Sequence, residues 1–273
     1  MDDTTALITG STDGIGKQTA IELAEMGLGI ILHGRSESRI KRVIQEIRHK
    51  TGSDQLDYFI ADLSSLQQIR AMAAEIRRKY DKLEILINNA GVAMNKLEFS
   101  DDGYEMTFAV NHLAVFATTL LLLDLLKQAA SSRIINVSSM AHSSSLRIEN
   151  LIGPRPFDGW EAYCQSKLCN ILFTYELAGK LKDHGVTVNC LHPGVIDTKL
   201  LRTHFGGGSP VTEGSRKLVY LATASELEGV TGKYFYNNRQ TQSAEVTYDP
   251  ETRKKLWNLS ENLFRKKEGN IIL

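Results

Sequence analysis

A tyrosine and a lysine stand four residues apart, at Tyr163 and Lys167, in a stretch with a helical pattern. Residues four apart lie on one face of an α-helix, so both side chains can reach the same pocket. A free phenol has a pKa of about 10, but a neighbouring ammonium favours the phenolate and lowers that pKa. The pair could therefore exchange a proton with the oxygen of a bound molecule. Because many such pairs only stabilise a helix, this interpretation depends on the rest of the chain.

Three glycines follow the first apolar run of the chain, at Gly10, Gly14 and Gly16. Glycine permits unusual dihedral angles and lets a ligand approach the backbone closely. A helix predicted directly after them would present unpaired N–H groups and the positive end of its dipole, which suit a pyrophosphate. A glycine-rich turn without a ligand is the alternative for three glycines alone. The order of strand, turn and helix favours the phosphate site.

Short apolar runs alternate with longer amphipathic stretches along the whole chain. The apolar runs predict strands at 6–9, 29–33, 56–60, 85–87, 134–137, 186–191 and 233–236. The amphipathic stretches predict helices at 16–26, 38–51, 65–80, 101–127, 163–184, 213–224 and about 250–264. This alternation predicts the α/β class: a single-domain, Rossmann-type, doubly wound parallel sheet of about seven strands with helices on both faces. Since no repeat or linker interrupts it, we expect one domain over residues 1–273.

Composition excludes several classes of function. The chain has 273 residues with 32 basic and 32 acidic side chains, so its zero net charge does not indicate a nucleic-acid or anionic membrane partner. Its longest nearly unbroken apolar stretch, 113–123, is too short to span a membrane. No secretory signal precedes Leu7, which favours a cytoplasmic location. The three cysteines and seven histidines lack metal-ligand spacing, so we expect no metal.

The glycines open an ordered series of motifs that covers nearly the whole chain and resembles the short-chain dehydrogenase/reductase family. The series runs Thr9-Gly10-x3-Gly14-Ile15-Gly16, Asp62-Leu63, Asn88-Asn89-Ala90-Gly91, Asn111, Ser138-Ser139, Tyr163-x3-Lys167 and Pro193-Gly194. The stretches "NVSSMAH", "YCQSKLCNILFTYELA" and "LHPGVIDT" are most similar to its retinol-dehydrogenase-like branch. The resemblance implies an oxidoreductase that interconverts an alcohol and an aldehyde or ketone with a nicotinamide dinucleotide.

The resemblance implies catalytic roles for Asn111, Ser139, Tyr163 and Lys167. Tyr163 would exchange a proton with the substrate oxygen while hydride moves to or from the nicotinamide, and Ser139 would hold that oxygen. Lys167 would lower the pKa of the tyrosine and hold the nicotinamide ribose. Asn111 would kink its helix and hold a water that links Lys167 to solvent; the alternative is that its side chain bonds to nearby backbone.

The glycine turn, the strand ends and the resemblance together predict the residues that contact the dinucleotide. They are Gly10, Ser11, Thr12, Gly14, Ile15, Gly16, Arg35, Ser36, Asp62, Leu63, Asn89, Ala90, Gly91, Tyr163, Lys167, Val195, Ile196 and Thr198. Asp62 would accept a hydrogen bond from the adenine amine, or it could cap the following helix. Asn88 is expected to brace the strands. Val195, Ile196 and Thr198 would flank the nicotinamide carboxamide.

The end of the second predicted strand favours NADP(H) over NAD(H). An acidic residue there would bind a ribose 2′-hydroxyl, but this chain has Arg35 and Ser36, which suit a 2′-phosphate. Glu37 is the competing feature, because a shift of the loop could bring it to the ribose. Lys17 could add positive potential or face water.

Two segments are predicted to surround the substrate, at about 140–162 and 196–215. The second contains three successive glycines at 206–208, a composition typical of a mobile lid over an apolar small molecule, although an ordinary flexible surface loop is the alternative. Two other functions stay open: carbon–carbon double-bond reduction of the protochlorophyllide-reductase type, and non-catalytic dinucleotide sensing. By resemblance, a homodimer or tetramer could form through the helices that carry Asn111 and Tyr163.

Overall fold

An eight-stranded sheet forms the centre of the protein. The computed structural model describes residues 4–153, 156–202 and 206–266. The strands are β1 Thr5–Ile8, β2 Gly29–Gly34, β3 Leu56–Ile60, β4 Ile85–Asn88, β5 Ser132–Val137, β6 Val186–His192, β7 Lys233–Tyr236 and β8 Arg239–Thr241. Their order is β3-β2-β1-β4-β5-β6-β7-β8, and β1 to β7 are parallel. The predicted doubly wound α/β class is confirmed.

The eighth strand is the difference from the expected count of about seven. It pairs antiparallel with β7 through a tight turn in which Asn237 and Asn238 have φ angles of 47° and 59°. Asparagine tolerates such positive φ angles, which two-residue hairpin turns require. β8 is three residues long, and all three are exposed and polar. A strand of this kind has no alternation of apolar and polar residues from which it could be predicted.

Helices flank both faces of the sheet. They are α1 Gly14–Glu25, α2 Glu37–Thr51, α3 Leu66–Lys79, α4 Met106–Phe108, α5 Ala114–Leu121, α6 Leu123–Gln128, α7 Ile148–Leu151, α8 Gly159–Lys180, α9 Lys199–Arg202, α10 Val211–Thr223 and α11 Pro250–Arg265. A π-helical turn, Ala109–Leu113, joins α4 to α5. Among the described helices, none is both long and apolar enough to cross a membrane.

Two predicted helices have different boundaries in the structure. The helix predicted at 101–127 begins at Met106, where the Glu105 carboxylate accepts hydrogen bonds from the first N–H groups, and the π turn interrupts it. The helix predicted to begin at Tyr163 begins at Gly159, because Asp158 caps it through the N–H groups of Trp160 and Glu161. Tyr163 and Lys167 therefore lie within a formed helix, not at its frayed end.

The apolar core has one layer on each face of the sheet. One layer is built from α3, α5, α8 and α11, and the other from α1, α2 and α10. The parallel strands all end at the same edge of the sheet, where the loops after β1, β4, β5 and β6 lie. In doubly wound folds, ligands bind at this edge.

Candidate active site

The glycine turn between β1 and α1 has the backbone conformation that only glycine adopts easily. The φ angles of Gly10 and Gly14 are 66° and 54°. A Cβ on Gly16 would lie 2.6 Å from the Gly10 carbonyl oxygen and would also clash with the Asn89 amide. The first main-chain bond of α1 runs from Lys17 N to Asp13 O, so the N–H groups of residues 15 and 16 have no carbonyl partner within the helix. This turn fits a dinucleotide pyrophosphate.

The ends of β1 and β4 are fixed to each other by hydrogen bonds. Thr9 Oγ1 accepts from the backbone N–H groups of Asn89 and Ala90, at 2.9 and 3.1 Å. The Asn89 amide donates to the carbonyl groups of Thr9 and Gly10, at 2.9 and 3.3 Å. Asn89 thus braces the glycine turn, in addition to the ribose contact predicted for it. Asn88 braces the strands as expected, since its Nδ2 donates to Asn136 Oδ1 at 2.8 Å.

A buried histidine that the sequence analysis missed also holds the glycine turn. Gly10 N donates to His33 Nδ1 at 3.1 Å, and His33 Nε2 lies 3.2 Å from the Ala61 carbonyl oxygen. The first bond needs an unprotonated Nδ1, so the ring is the neutral tautomer with its proton on Nε2. Burial lowers the pKa of His33 to about 4, which keeps this tautomer at neutral pH. A polar residue within the apolar run "GIILHG" was the available signal.

At the adenosine end of the site, the residue that competed with Arg35 is already engaged. Glu37 Oε1 lies 2.7 Å from Lys41 Nζ and accepts from Tyr58 OH at 3.1 Å. Arg35 Nη1 is exposed and lies 3.4 Å from Asp62 Oδ2, a weak surface contact that a phosphate can replace. Lys17 pairs with Glu46 at 3.1 Å and therefore points to α2.

The alternative role of Asp62 as a helix cap is not what the structure shows. Asp62 Oδ1 accepts from the N–H and hydroxyl groups of Ser64, which closes a turn before α3. The first N–H of α3, that of Leu66, instead donates to Asp102 Oδ2 at 2.7 Å. The adenine contact of Asp62 stays a prediction.

Other predicted cofactor residues divide into lining and buried positions. Ser11 and Leu63 are buried, and Ser11 Oγ accepts from the backbone of His33 at 2.9 Å. Gly14 lies next to Thr198, whose Cγ2 would be 3.4 Å from an added Cβ. The remaining positions lie in these same loops. Four of them pack on glycines: Thr12 on Gly34, Ala90 on Gly10, and Ile15 and Ile196 on Gly214. Ser36 Oγ lies 3.1 Å from Ser38 Oγ, and the Val195 side chain is 52% exposed.

The predicted catalytic residues meet at the carboxyl edge of the sheet. Lys167 Nζ lies 5.5 Å from the centre of the Tyr163 ring and donates to the Val137 carbonyl at 3.1 Å. Ser139, two residues beyond Val137, lies close to the Tyr163 phenol, and its hydroxyl favours the ionised form of that phenol. A Cβ on Gly91 would be 3.5 Å from Lys167 Nζ, so the loop after β4 borders the same point. Serine, tyrosine and lysine therefore face one small volume.

Protonation states in this site follow burial. Burial raises the pKa of Tyr163 to about 12, and the hydrogen bond from Ser139 opposes that rise. Burial lowers the pKa of Lys167 to about 8. In the protein alone, the tyrosine pKa is thus raised, opposite to the lowering expected when a nicotinamide is bound. The phenol begins as a proton donor.

Asn111 lies in the π turn, which is the interruption expected of its helix. Its Oδ1 accepts from Val92 N at 2.7 Å, and its Nδ2 donates to Val92 O and Ser166 Oγ at 2.9 and 3.0 Å. The side chain is thus committed to the loop after β4, as in the alternative interpretation. The water contact predicted for Asn111 stays a prediction.

Two further side chains at the substrate face were not predicted. Trp160 stacks on Tyr163 with ring centres 5.6 Å apart and planes at 19°. His142 Nδ1 lies 2.6 Å from the Ser139 carbonyl oxygen, and its Nε2 accepts from Ala244 N at 3.0 Å. These contacts fix the tyrosine ring and the serine turn, and a chain-local pattern gave no signal for them.

The predicted lid is only partly within the described residues, since 203–205 lie outside them. Gly208 is not a free hinge position, because a Cβ there would lie against the Val195 carbonyl group. Ser209 N donates to that carbonyl at 2.8 Å, and Asp197 N donates to Ser209 O at 2.9 Å. The end of the segment is thus fixed to the loop after β6.

Within the described ranges, no group of three or more His, Cys, Asp or Glu side chains is placed to hold a metal ion.

Known proteins resemble this chain over most of its length. The family model for short chain dehydrogenases matches residues 4–206. Human retinol dehydrogenase 13 is 42% identical over 95% of this chain and 84% of its own length, and human polyprenol dehydrogenase is 36% identical over 94% and 84%. A short chain dehydrogenase from Escherichia coli CFT073, complexed with NADPH, superposes with a TM-score of 0.71 at 25% identity, over 86% of this chain and 96% of its own. An uncharacterized protein from Mycobacterium paratuberculosis reaches a TM-score of 0.77 at 29% identity, over 96% and 93%.

Proposed function

This chain belongs to the short-chain dehydrogenase family, and from that premise we propose that it interconverts an apolar alcohol and its aldehyde or ketone with NADP(H), using Tyr163 as the proton donor and acceptor. The coarser function needs no proposal: it is an NAD(P)-dependent dehydrogenase that acts on CH–OH groups of small molecules. Neither double-bond reduction nor dinucleotide sensing is favoured by these relatives.

The observation that carries the mechanism is the meeting of Ser139, Tyr163 and Lys167 beside the glycine turn. The bound nicotinamide supplies or accepts the hydride. Ser139 and Tyr163 would hold the substrate oxygen by two hydrogen bonds, and the protonated phenol would donate its proton to that oxygen during reduction. The Lys167 ammonium would stabilise the phenolate that remains.

The preference for NADP(H) is supported by the local charges at the end of β2. Arg35 and Ser36 are exposed or partly exposed there, whereas the Glu37 carboxylate is held by Lys41 and Tyr58. A 2′-phosphate would meet a guanidinium and a hydroxyl, and it would displace only the weak contact of Arg35 with Asp62. The NADPH complex of the Escherichia coli relative is consistent with this preference.

An apolar substrate is supported by exposed apolar side chains at three positions: the loop after β5, the loop after β6, and the start of α8 beside Tyr163. Met140, Trp160 and Val195 are large apolar residues with exposed fractions of 56%, 38% and 52%. Exposed apolar side chains near a reactive group favour a substrate with an apolar body. The names of the retinol and polyprenol dehydrogenase relatives are consistent with such a substrate.

Reduction with NADPH is the direction we propose. A cytoplasmic location stays a prediction that cell fractionation would test.

The test is turnover by the purified protein on a panel of apolar aldehydes and ketones with NADPH, and on the matching alcohols with NADP+. Tyr163→Phe should lower kcat by about 10²–10⁴, because it removes the proton donor, while NADPH still binds. NADPH binding is followed by fluorescence and turnover by absorbance. Near-native reduction by Tyr163→Phe would show that another group supplies the proton.

A further inference from the structure

A buried series of polar side chains runs from the C-terminal helix to the backbone that holds Lys167. Ser260 Oγ on α11 lies 2.9 Å from His112 Nε2, and His112 Nδ1 lies 3.3 Å from Asn170 Oδ1. Asn170 Nδ2 donates to the carbonyl groups of Asn111 and Val137, at 2.9 and 3.3 Å. Since Ser260, His112 and Asn170 are all fully buried, these contacts have no competition from bulk water.

The donors and acceptors of this series permit one arrangement. Because the Asn170 amide nitrogen faces two carbonyl oxygens, the amide oxygen is the atom that faces His112. That oxygen only accepts, so His112 carries its proton on Nδ1, and its Nε2 accepts from the Ser260 hydroxyl. Ser260 Oγ also lies 2.9 Å from the Leu256 carbonyl, but His112 Nε2 has no proton of its own and needs this donor. Burial lowers the pKa of His112 to about 4, so the ring stays neutral.

The series ends at the same carbonyl group that binds the catalytic lysine. Val137 O accepts from Asn170 Nδ2 and also from Lys167 Nζ, at 3.3 and 3.1 Å. Among the described residues, this carbonyl is the hydrogen-bond acceptor of the Lys167 ammonium. The Asn111 carbonyl, on the neighbouring π turn, is fixed by the same amide. Movement of Asn170 would therefore move the carbonyl group that accepts from the ammonium, together with the π turn that carries Asn111.

We propose that Asn170 is a positioning residue that holds the Lys167 ammonium through the Val137 carbonyl group, with its orientation set by Ser260 through His112. This rests on the proposed function, in which Lys167 stabilises the Tyr163 phenolate. Ser260 lies beyond residues 4–206, which the family model matches, so a helix outside the matched region contributes to the geometry of the site.

The experiment measures the pKa of the Tyr163 phenol in the complex with NADP+, from the ultraviolet absorbance of tyrosinate against pH. Each protein is compared with the same protein carrying Tyr163→Phe, so that the difference reports one phenol. Asn170→Ala and Ser260→Ala are compared with Tyr175→Phe. Tyr175 is a matched control because it is buried and lies on α8, as Asn170 does, but it is not part of the series. Its substitution by phenylalanine removes a hydroxyl group that is hydrogen-bonded to Ser243.

Asn170→Ala should raise the Tyr163 pKa by about 0.5–1 unit, because a less fixed ammonium stabilises the phenolate less. Ser260→Ala should raise it less but in the same direction, and Tyr175→Phe should leave it unchanged while lowering Tm. A phenol pKa that stays native in Asn170→Ala would overturn the proposal, because the residue would then only stabilise the fold. If Asn170→Ala does not fold, Ser260→Ala decides, and an unchanged phenol pKa there has the same meaning.

This measurement separates the failure of the inference from the failure of the proposed function. It needs no substrate, so it is valid whichever carbonyl compound the protein reduces. A native phenol whose pKa does not fall when NADP+ binds would contradict the proposed role of Tyr163. The 13Cε resonance of labelled Lys167, assigned with Lys167→Arg, would then test Asn170 alone. An unchanged pH titration of that resonance in Asn170→Ala and Ser260→Ala would overturn the proposal.

Discussion

At the scale of single residues, burial sets the charge that each functional group carries before any ligand binds. It raises the pKa of Tyr163 to about 12 and lowers that of Lys167 to about 8. Desolvation disfavours the charged form of both groups, so the phenol is neutral at pH 7, and the amine loses its proton at a lower pH than an exposed lysine does. At the other end of the site, the Arg35 side chain is exposed and contacts Asp62 at 3.4 Å.

The first prediction concerns that arginine and the choice of dinucleotide. Arg35→Ala should weaken NADPH binding by about 1.5–3 kcal/mol, because a charge-assisted hydrogen bond to the 2′-phosphate is lost, and it should spare NADH. Fluorescence titration at fixed ionic strength measures both affinities. Arg48→Ala, at the far end of α2 where Arg48 contacts Asp54, is the control and should change neither. Equal affinity of the native protein for the two dinucleotides would contradict the NADP(H) preference.

At the scale of elements, the contact between the β1–α1 turn and the loop after β4 decides the shape of the cofactor site. Asn89 reaches across from β4 to the carbonyl groups of the turn, and Gly16 leaves the space that this side chain needs. His33 at the end of β2 holds the turn from the other side. The three elements therefore form one unit, and a change in the turn must disturb β4 as well.

The second prediction tests this close approach. Gly16→Ala should lower the free energy of unfolding by about 1–3 kcal/mol, because its Cβ would overlap the Asn89 amide and the Gly10 carbonyl. It should also abolish NADPH binding, since the turn must open. Gly179→Ala is the matched control: it lies in α8 with nothing within 4 Å and should stabilise the protein by about 0.5–1 kcal/mol. Urea unfolding and fluorescence titration measure these effects, and a Gly16→Ala protein with native values of both would contradict the argument.

At the scale of the whole molecule, α11 covers the helices that relatives were expected to use for dimerisation. Trp257 packs on Phe116 and Phe173, with ring centres 5.1 and 5.9 Å apart, and Phe264 packs on Phe116 at 6.3 Å. Tyr104 OH donates to the Leu263 carbonyl at 3.1 Å and fixes the end of the helix. The apolar face of α5 and α8 is thus buried within one chain.

The third prediction follows from these contacts of α11: the protein should be a monomer at micromolar concentration, and not the homodimer or tetramer that the resemblance left possible. A dimer through α5 and α8 would first have to displace the aromatic contacts of α11. Only a large new interface would recover the free energy that is lost with those contacts. Sedimentation velocity measures the mass. A dimer cross-linked through residues of α5 and α8 would contradict the prediction.

The fourth prediction concerns acid stability. Burial lowers the pKa of His33, His112 and His192 to about 4 in the folded protein, whereas an unfolded histidine has a pKa of about 6.5. Between these values the unfolded chain binds more protons, so stability must fall as the pH falls from about 6.5 to 4. Each histidine contributes a loss on the order of 3 kcal/mol once the pH is below both values.

Urea unfolding at pH 7, 6 and 5 measures this slope. His33→Gln should reduce it by roughly a quarter, because a glutamine amide can accept from Gly10 N and donate to Ala61 O without titrating, while His112, His142 and His192 still titrate. Replacing the exposed His49 by glutamine is the control and should leave the slope unchanged. An unaltered slope in His33→Gln would show that His33 is not one of the groups that cause acid unfolding.

Local patterns of residues were enough to predict most of the strands and helices. Alternating apolar runs and amphipathic stretches specified seven parallel strands and their helices, because strand and helix periods differ over a few residues. The glycines of the turn, and Tyr163 four residues before Lys167, were recognisable because their residue types and spacing lie within a short stretch of sequence. Helix starts at Gly159 and Met106 were missed by four or five residues, because the capping carboxylates Asp158 and Glu105 decide them.

The hydrogen-bond partners of several polar groups could be identified only from the folded structure. His33 meets Gly10 across 23 positions, and Ser260 meets His112 across 148, so no window of sequence contains both partners. The hydrogen bond from Tyr58 to Glu37 and the packing of Trp257 on Phe116 also join residues that are far apart in the sequence. A buried polar group must find a partner wherever the fold places one, and that place depends on the packing of distant elements.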